Sequence, residues 1–220
     1  MTEICKMNRT ALLKRIVFLC VGLTTMAFGV AFSIKAALGT SPISSVPYVT
    51  GAISGLTVGT TTIIMNTLFV LIQIAILRRQ YEWVQLLQLP AAVLFGMMID
   101  LASYLIRDLN PTAYWQQWIV CLLGIFLVAL GVSMEVTARL ITTAGEGIVL
   151  AICKVAPIKF GNMKMIFDLT LVAISITLSL LFLHHLDGVR EGTVAAAVLV
   201  GQLARQINKP MGVVEQRCLA

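Results

Sequence analysis

Few residues in this chain could do chemistry, and most of them interrupt long apolar runs. Asp100 sits inside LFGMMIDLASYLI, and Glu135 closes another run. Glu146 stands between Gly145 and Gly147, and Asp168 comes one helical turn after Lys164. Arg190 and Glu191 open a further run. Hydroxyls gather beside Pro42 and Pro47 at Thr40, Ser41, Ser44 and Ser45, and again at Thr142 and Thr143. An ionised side chain at the centre of a bilayer helix costs about 2.5–3.5 kcal/mol on insertion scales. Each such group therefore needs a partner, water or a shifted pKa.

Two readings compete at each position. Asp100 is either half of an inter-helix bond, with Arg190 or Lys35 as its nearest candidate partners, or a proton or substrate site. Lys164 and Asp168 are either an i, i+4 pair at the membrane boundary or part of a polar cavity facing Asn66. Glu146 and Glu191 either stabilise helix N-termini or bind an ion. The hydroxyls of residues 40–45 either cap broken backbone or hold an anion or polar solute. The binding candidates are thus Thr40, Ser41, Ser44, Ser45, Asn66, Asp100, Thr142, Thr143, Glu146, Asp168 and Glu191. Gln88 and Gln202 suit hydrogen bonds between helices.

Bond-making chemistry has no visible machinery. There is no HExxH, no phosphate-cradling loop, and no Ser or Cys nucleophile with a histidine placed to activate it. Five cysteines (Cys5, Cys20, Cys121, Cys153 and Cys218) show no CxxC or Cys/His ligand spacing, and His184 and His185 are neighbours. We expect no enzyme, no cofactor and no metal.

The elements that position these residues follow from composition. Of 220 residues, 59% are apolar and only 12% are charged, about half the usual quarter for a soluble domain. The formal charge of +6 falls in short clusters between apolar runs, which fits a membrane surface and not nucleic acid. A helix needs about 20 apolar residues to cross the hydrocarbon. Five runs qualify: 16–36, 58–77, 83–106, 118–136 and 165–183. A sixth, 189–204, is shorter and rich in Ala and Gly, which suits close packing in a bundle. The basic start followed by an apolar run reads as a retained span, because the run is long for a signal peptide and no small-x-small site follows it.

With both termini in the cytoplasm, 13 of the 16 Lys and Arg fall inside, as the positive-inside rule requires. Lys35, Arg107 and Arg190 alone fall outside. Residues 41–56, with two prolines and two glycines, are expected to form a re-entrant or broken helical hairpin. Such backbone is tolerated at membrane depth only under cover of protein or a water-filled cavity.

A shift of 102 residues superposes the chain on itself without a gap over residues 22–72, with 11 identities in 51 positions. Gly22 meets Gly124, Gly29 meets Gly131, Thr40 meets Thr142, Gly59 meets Gly161, and Asn66 meets Asp168. The fold expected is therefore all-α and membrane-spanning: six transmembrane helices as two inverted three-helix repeats, 15–107 and 115–206. Tails at 1–14 and 207–220 flank them. Each repeat carries one hairpin, 39–56 and its copy 141–158. An odd number of spans per copy forces the second copy upside down.

The stretches GTSPISSVPY (39–48), AGEGI (144–148) and VREGT (189–193) resemble the YczE/YyaS/YitT family of bacterial integral membrane proteins. The likeness runs over about residues 15–209. It implies a bacterial cytoplasmic membrane and carries no residue role. Inverted repeats with paired hairpins are a recurring plan of secondary transporters. The expectation is a small permease for a polar small molecule, with the bilayer as its surroundings and a proton as coupling ion. The alternative is a non-transporting regulatory or assembly partner of another membrane complex.

Overall fold

The computed structural model describes the backbone of residues 9–218 and the side chains of residues 9–211. Cys5 and Lys6, and the side chains of Arg217 and Cys218, lie outside the described residues. Among the described residues eight α-helices follow one another: α1 (Arg9–Lys35), α2 (Pro42–Ser54), α3 (Val58–Leu77), α4 (Gln88–Leu105), α5 (Tyr114–Ala138), α6 (Ala144–Val155), α7 (Phe160–Leu178) and α8 (Glu191–Cys218). The described residues contain no strand. Residues 9–14 and 207–218 belong to α1 and α8, so the parts of both expected tails that are described are helical.

Five of these elements are long and apolar enough to cross a membrane: Arg9–Lys35, Val58–Gln80, Trp83–Leu105, Tyr114–Ala138 and Phe160–Leu183. They match the five longer runs in the sequence. α8 is not among them, because Gln202, Arg205 and Gln206 interrupt it in its fourth and fifth turns. Large apolar side chains such as Val17, Leu68, Leu71, Met97, Phe126, Ile166 and Phe182 face outward. A water-soluble surface does not carry that much contiguous apolar area; the chain is a helical membrane-type protein.

α2 and α6 are the exceptions in length. Thirteen and twelve residues rise about 18–20 Å, well short of a bilayer core of about 30 Å. Here the structure corrects the expected hairpins. Each is a single short helix reached by extended backbone, not two legs of a hairpin. Pro42 occupies the first turn of α2, where its missing N–H has no intrahelical acceptor to lose. Pro47 removes only the partner of the Ile43 carbonyl, and the helix continues to Gly55, whose φ of 72° closes it. Thr61 Oγ1 donates to the Pro47 carbonyl at 2.7 Å and fixes α2 to α3.

The order long, short, long, long occurs twice. α2 and α6 start 102 residues apart, as do α3 and α7. Packing follows suit. α1 lies on α4 as α5 lies on α8; α3 lies on α6 as α7 lies on α2; α2 touches α3 as α6 touches α7. The largest contact joins α1 to α5, and glycines permit it. A methyl group on Gly22 would strike the Gly131 carbonyl and Met134, and one on Gly29 would strike the Gly124 carbonyl and Val128. One pair breaks the pattern. α3 packs closely on α4, with Gly59 against Gly96, while α7 and α8 have at most marginal contact.

Candidate functional site

Two short helices aim their N-termini at one place. Ile43, in the first turn of α2, rests where a side chain on Gly145 of α6 would have to go. The leading N–H groups of each helix have no intrahelical acceptor and carry its positive dipole end. Beside this junction lies a cavity of about 280 Å³, near the lower end of ordinary small-ligand sites. α1 lines one wall with Leu19, Leu23, Met26 and Val30, and α5 adds Val128 and Val132. Both sets repeat at helical spacing, so each presents one apolar stripe.

The other wall is polar: Ser41, Ser44, Asn66, Gln88, Glu135, Thr142, Thr143, Glu146, Lys164 and Asp168. Lys164 Nζ donates to Asp168 Oδ1 at 2.7 Å. The expected i, i+4 pair therefore exists, and it also faces the cavity. The Thr143 N–H donates to Glu135 Oε1, so a carboxylate from α5 serves the backbone that leads into α6. Ser41 Oγ donates to Ser44 Oγ at 3.0 Å. Asn66 is only 7% exposed and has no hydrogen-bond partner among the described residues. Glu146 feels the charges of Lys164 and Asp168 and accepts no hydrogen bond from a described residue. Behind the polar wall, Gln73 Nε2 donates to Gln88 Oε1 at 3.2 Å and to the Ala144 carbonyl at 3.0 Å, tying α3, α4 and α6 together.

Seven of the eleven sequence candidates thus share one cavity: Ser41, Ser44, Asn66, Thr142, Thr143, Glu146 and Asp168. Four do not. Thr40 is buried, and its N–H bonds the Gly188 carbonyl at 3.0 Å. Ser45 is buried and donates to the Pro42 carbonyl at 2.8 Å. Glu191 lies exposed at the start of α8, 3.9 Å from Arg190. Asp100 bonds neither Arg190 nor Lys35, which reach the carbonyls of Ala37 and Arg107 instead. Its carboxylate accepts from Thr57 Oγ1 at 2.6 Å and from the Gly59 N–H at 2.8 Å. It caps α3 from α4, where a carboxylate is favoured by the helix dipole. Three polar cavity residues were not among the candidates: Glu135, Gln88 and Lys164. Glu135 ends an apolar run and occupies the place of Ser33 at the 102-residue shift, a signal that could have found it.

The three sequence stretches singled out by resemblance come together in space. The Gly192 N–H donates to the Leu38 carbonyl at 2.8 Å, and Gly39, at φ 93°, passes against Arg190 and Thr193. Tyr48 Oη donates to Asp187 at 3.3 Å. Ile43 then joins this group to Gly145.

Residues 13–209 match the model of a family of unknown function, DUF6198. The chain belongs to that family. No curated protein and no solved structure matches this family member. Among its described residues, no group of three or more His, Cys, Asp or Glu is arranged to hold a metal ion.

Proposed function

We propose that this protein is a small secondary transporter for a polar small molecule, built as two inverted three-helix repeats in a bacterial cytoplasmic membrane. Both termini lie in the cytoplasm, and α8 makes the sixth crossing. Kinship with the YczE/YyaS/YitT proteins belongs to the same proposal and rests on the three stretches quoted above. The observation that carries the reading is the cavity: ionisable side chains that are costly at membrane depth gather where two half-length helices point their N-termini at each other.

Support for the inverted relation comes from the α1–α5 crossing. Gly22 meets Gly131 while Gly29 meets Gly124. The two helices are therefore antiparallel, and each contact exchanges the roles of the two copies. A two-fold axis across the helices has that signature. Support for a sixth crossing comes from α8 running parallel to α5. Gly192 lies against Cys121, and Ser133 Oγ donates to the Ala204 carbonyl at 3.3 Å.

The broken packing symmetry supplies the mechanism. On the outer side, Asp100 holds α4 to the start of α3. On the cytoplasmic side, the equivalent pair α7 and α8 stands apart beside Lys164 and Asp168. The cavity is then reached from the cytoplasm, and the opposite state closes α7 on α8 while α4 leaves α3. Such exchange between copies is alternating access. Glu146 and Asp168 are the groups to carry a coupling proton. No bond of the solute is made or broken.

Two experiments test the proposal. In a protein whose only reactive thiol is Cys153, a membrane-impermeant thiol reagent should label from the cytoplasmic side; with S54C as the only thiol it should label from outside. Labelling of both from one side removes the inverted topology. Untargeted metabolite profiles of deletion and overexpressing cells should differ in the distribution of at least one polar compound, and E146Q at equal membrane level should erase that difference. Identical profiles for deletion and overexpressing cells remove transport; a difference that E146Q leaves intact removes the role of Glu146.

A further inference from the structure

The lining of the cavity is unequal in charge, and we infer from it that the solute is a small protonated amine with an apolar body. This inference rests on the transport reading and adds the substrate class to it. Among the described residues, Glu135, Glu146 and Asp168 face the cavity with Lys164 as the single cation, a formal surplus of two negative charges. Asp168 already holds Lys164 at 2.7 Å. Glu146 is left without a donor, and so is the amide oxygen of Asn66, a side chain only 7% exposed. Glu146 is partly buried and both groups open on the cavity, so their acceptor capacity is met there by water or by a ligand that supplies N–H groups. An ammonium head supplies up to three, together with the missing positive charge.

An anion fits this geometry poorly, although two helix N-termini are near. The α2 terminus begins with Pro42, which has no N–H. On α6, Glu135 takes the N–H of Thr143, and Glu146 occupies the first turn. The chain's own carboxylates already stand where a bound anion would sit. A proton alone would need neither 280 Å³ of space nor the apolar stripe of Leu19, Leu23, Met26 and Val30. That stripe accommodates the body of the amine by ordinary burial of apolar surface.

The test uses the full chain in lipid nanodiscs, with empty nanodiscs as the blank. Radiolabelled phenethylamine, 2-phenylethanol and phenylacetate share one body and differ in the charge of the head. Phenethylamine should bind saturably and about tenfold or more tighter than the other two, the scale of a charge-assisted hydrogen bond. E146Q should weaken phenethylamine by a similar factor. L23W, which fills the apolar wall and leaves every charge in place, should also abolish binding. E191Q, outside the cavity, should change nothing. Saturable phenylacetate or phenylethanol binding that equals or exceeds phenethylamine overturns the inference, as does no saturable phenethylamine binding by folded wild type. The transport reading fails separately. Phenethylamine bound in nanodiscs but not moved into liposomes leaves the amine site standing and removes transport; movement of phenylacetate alone does the reverse.

Discussion

The two halves of the molecule share a scaffold and differ in what they do with it. Where the first half has Ser33, Ser44, Thr62 and Asn66, the second has Glu135, Glu146, Lys164 and Asp168. The neutral half is also the shut half: α3 and α4 are in contact through Gly59 and Gly96 and are pinned by Asp100. The charged half is open, with α7 and α8 apart and empty space around Gly161. The 102-residue correspondence gives two matched places, and a buried ion needs only one of them. Placing the ions of the cavity on one side lets the other side close without desolvating them, a step that would otherwise cost several kcal/mol per ion.

The sharpest break of this comparison is to alter the twins Ser44 and Glu146 in turn. E146Q is expected to abolish flux of the transported solute, whereas S44A, which removes one neutral hydrogen bond, should reduce it by only about two- to tenfold. Equal losses from both would mean that the halves are chemically equivalent after all. Next come the twins Gly59 and Gly161. G59L drives a side chain into the Gly96 backbone and the Asp100 carboxylate and should destabilise the detergent-purified protein by about 3 kcal/mol. A Cβ at Gly161 meets nothing within 4 Å, so for G161L thermal unfolding should move by less than about 1 kcal/mol, with helix propensity favouring leucine. A smaller effect is expected from D100N. It weakens two charge-assisted bonds in a partly exposed setting and should lower stability by about 1 kcal/mol. It should also raise thiol labelling of a cysteine placed at Ile63, which packs on Gly96, from the outside, because the α3–α4 seal is loosened. The smallest concerns Asn66: N66A leaves every ion in place and should weaken amine binding about threefold, less than E146Q does.

Much of the scaffold could be read from the residues. Crossing helices advertise themselves through uninterrupted apolar length, so the five longer ones were placed within a few residues. α8 was harder, since its small residues and scattered polar groups serve packing on α5 and not contact with lipid. The prolines of residues 41–56 pointed to broken backbone, yet one lies at a helix start and the other costs a single hydrogen bond, so one helix survives. Most of the cavity was visible because ionisable groups in apolar runs are conspicuous. Asp100 was equally conspicuous and belongs elsewhere, because its partners lie 43 and 41 residues away at a helix start, a relation that no local pattern carries. Gln73 gave no signal at all; only the meeting of α3, α4 and α6 gives it neighbours to bond.

The glycine crossing of α1 and α5 has a bearing on how the chain could have diverged. Gly22 and Gly124, and Gly29 and Gly131, are matched positions that each press on the opposite copy. A bulkier residue at any one of them collides with backbone belonging to the other half, so neither copy is free to drift alone there. Elsewhere fewer positions agree: four of the eleven identities lie beyond residue 40, at Gly59, Ile64, Val70 and Ile72. The surviving internal likeness is thus concentrated where the halves restrain each other, which makes it a record of contact as much as of descent.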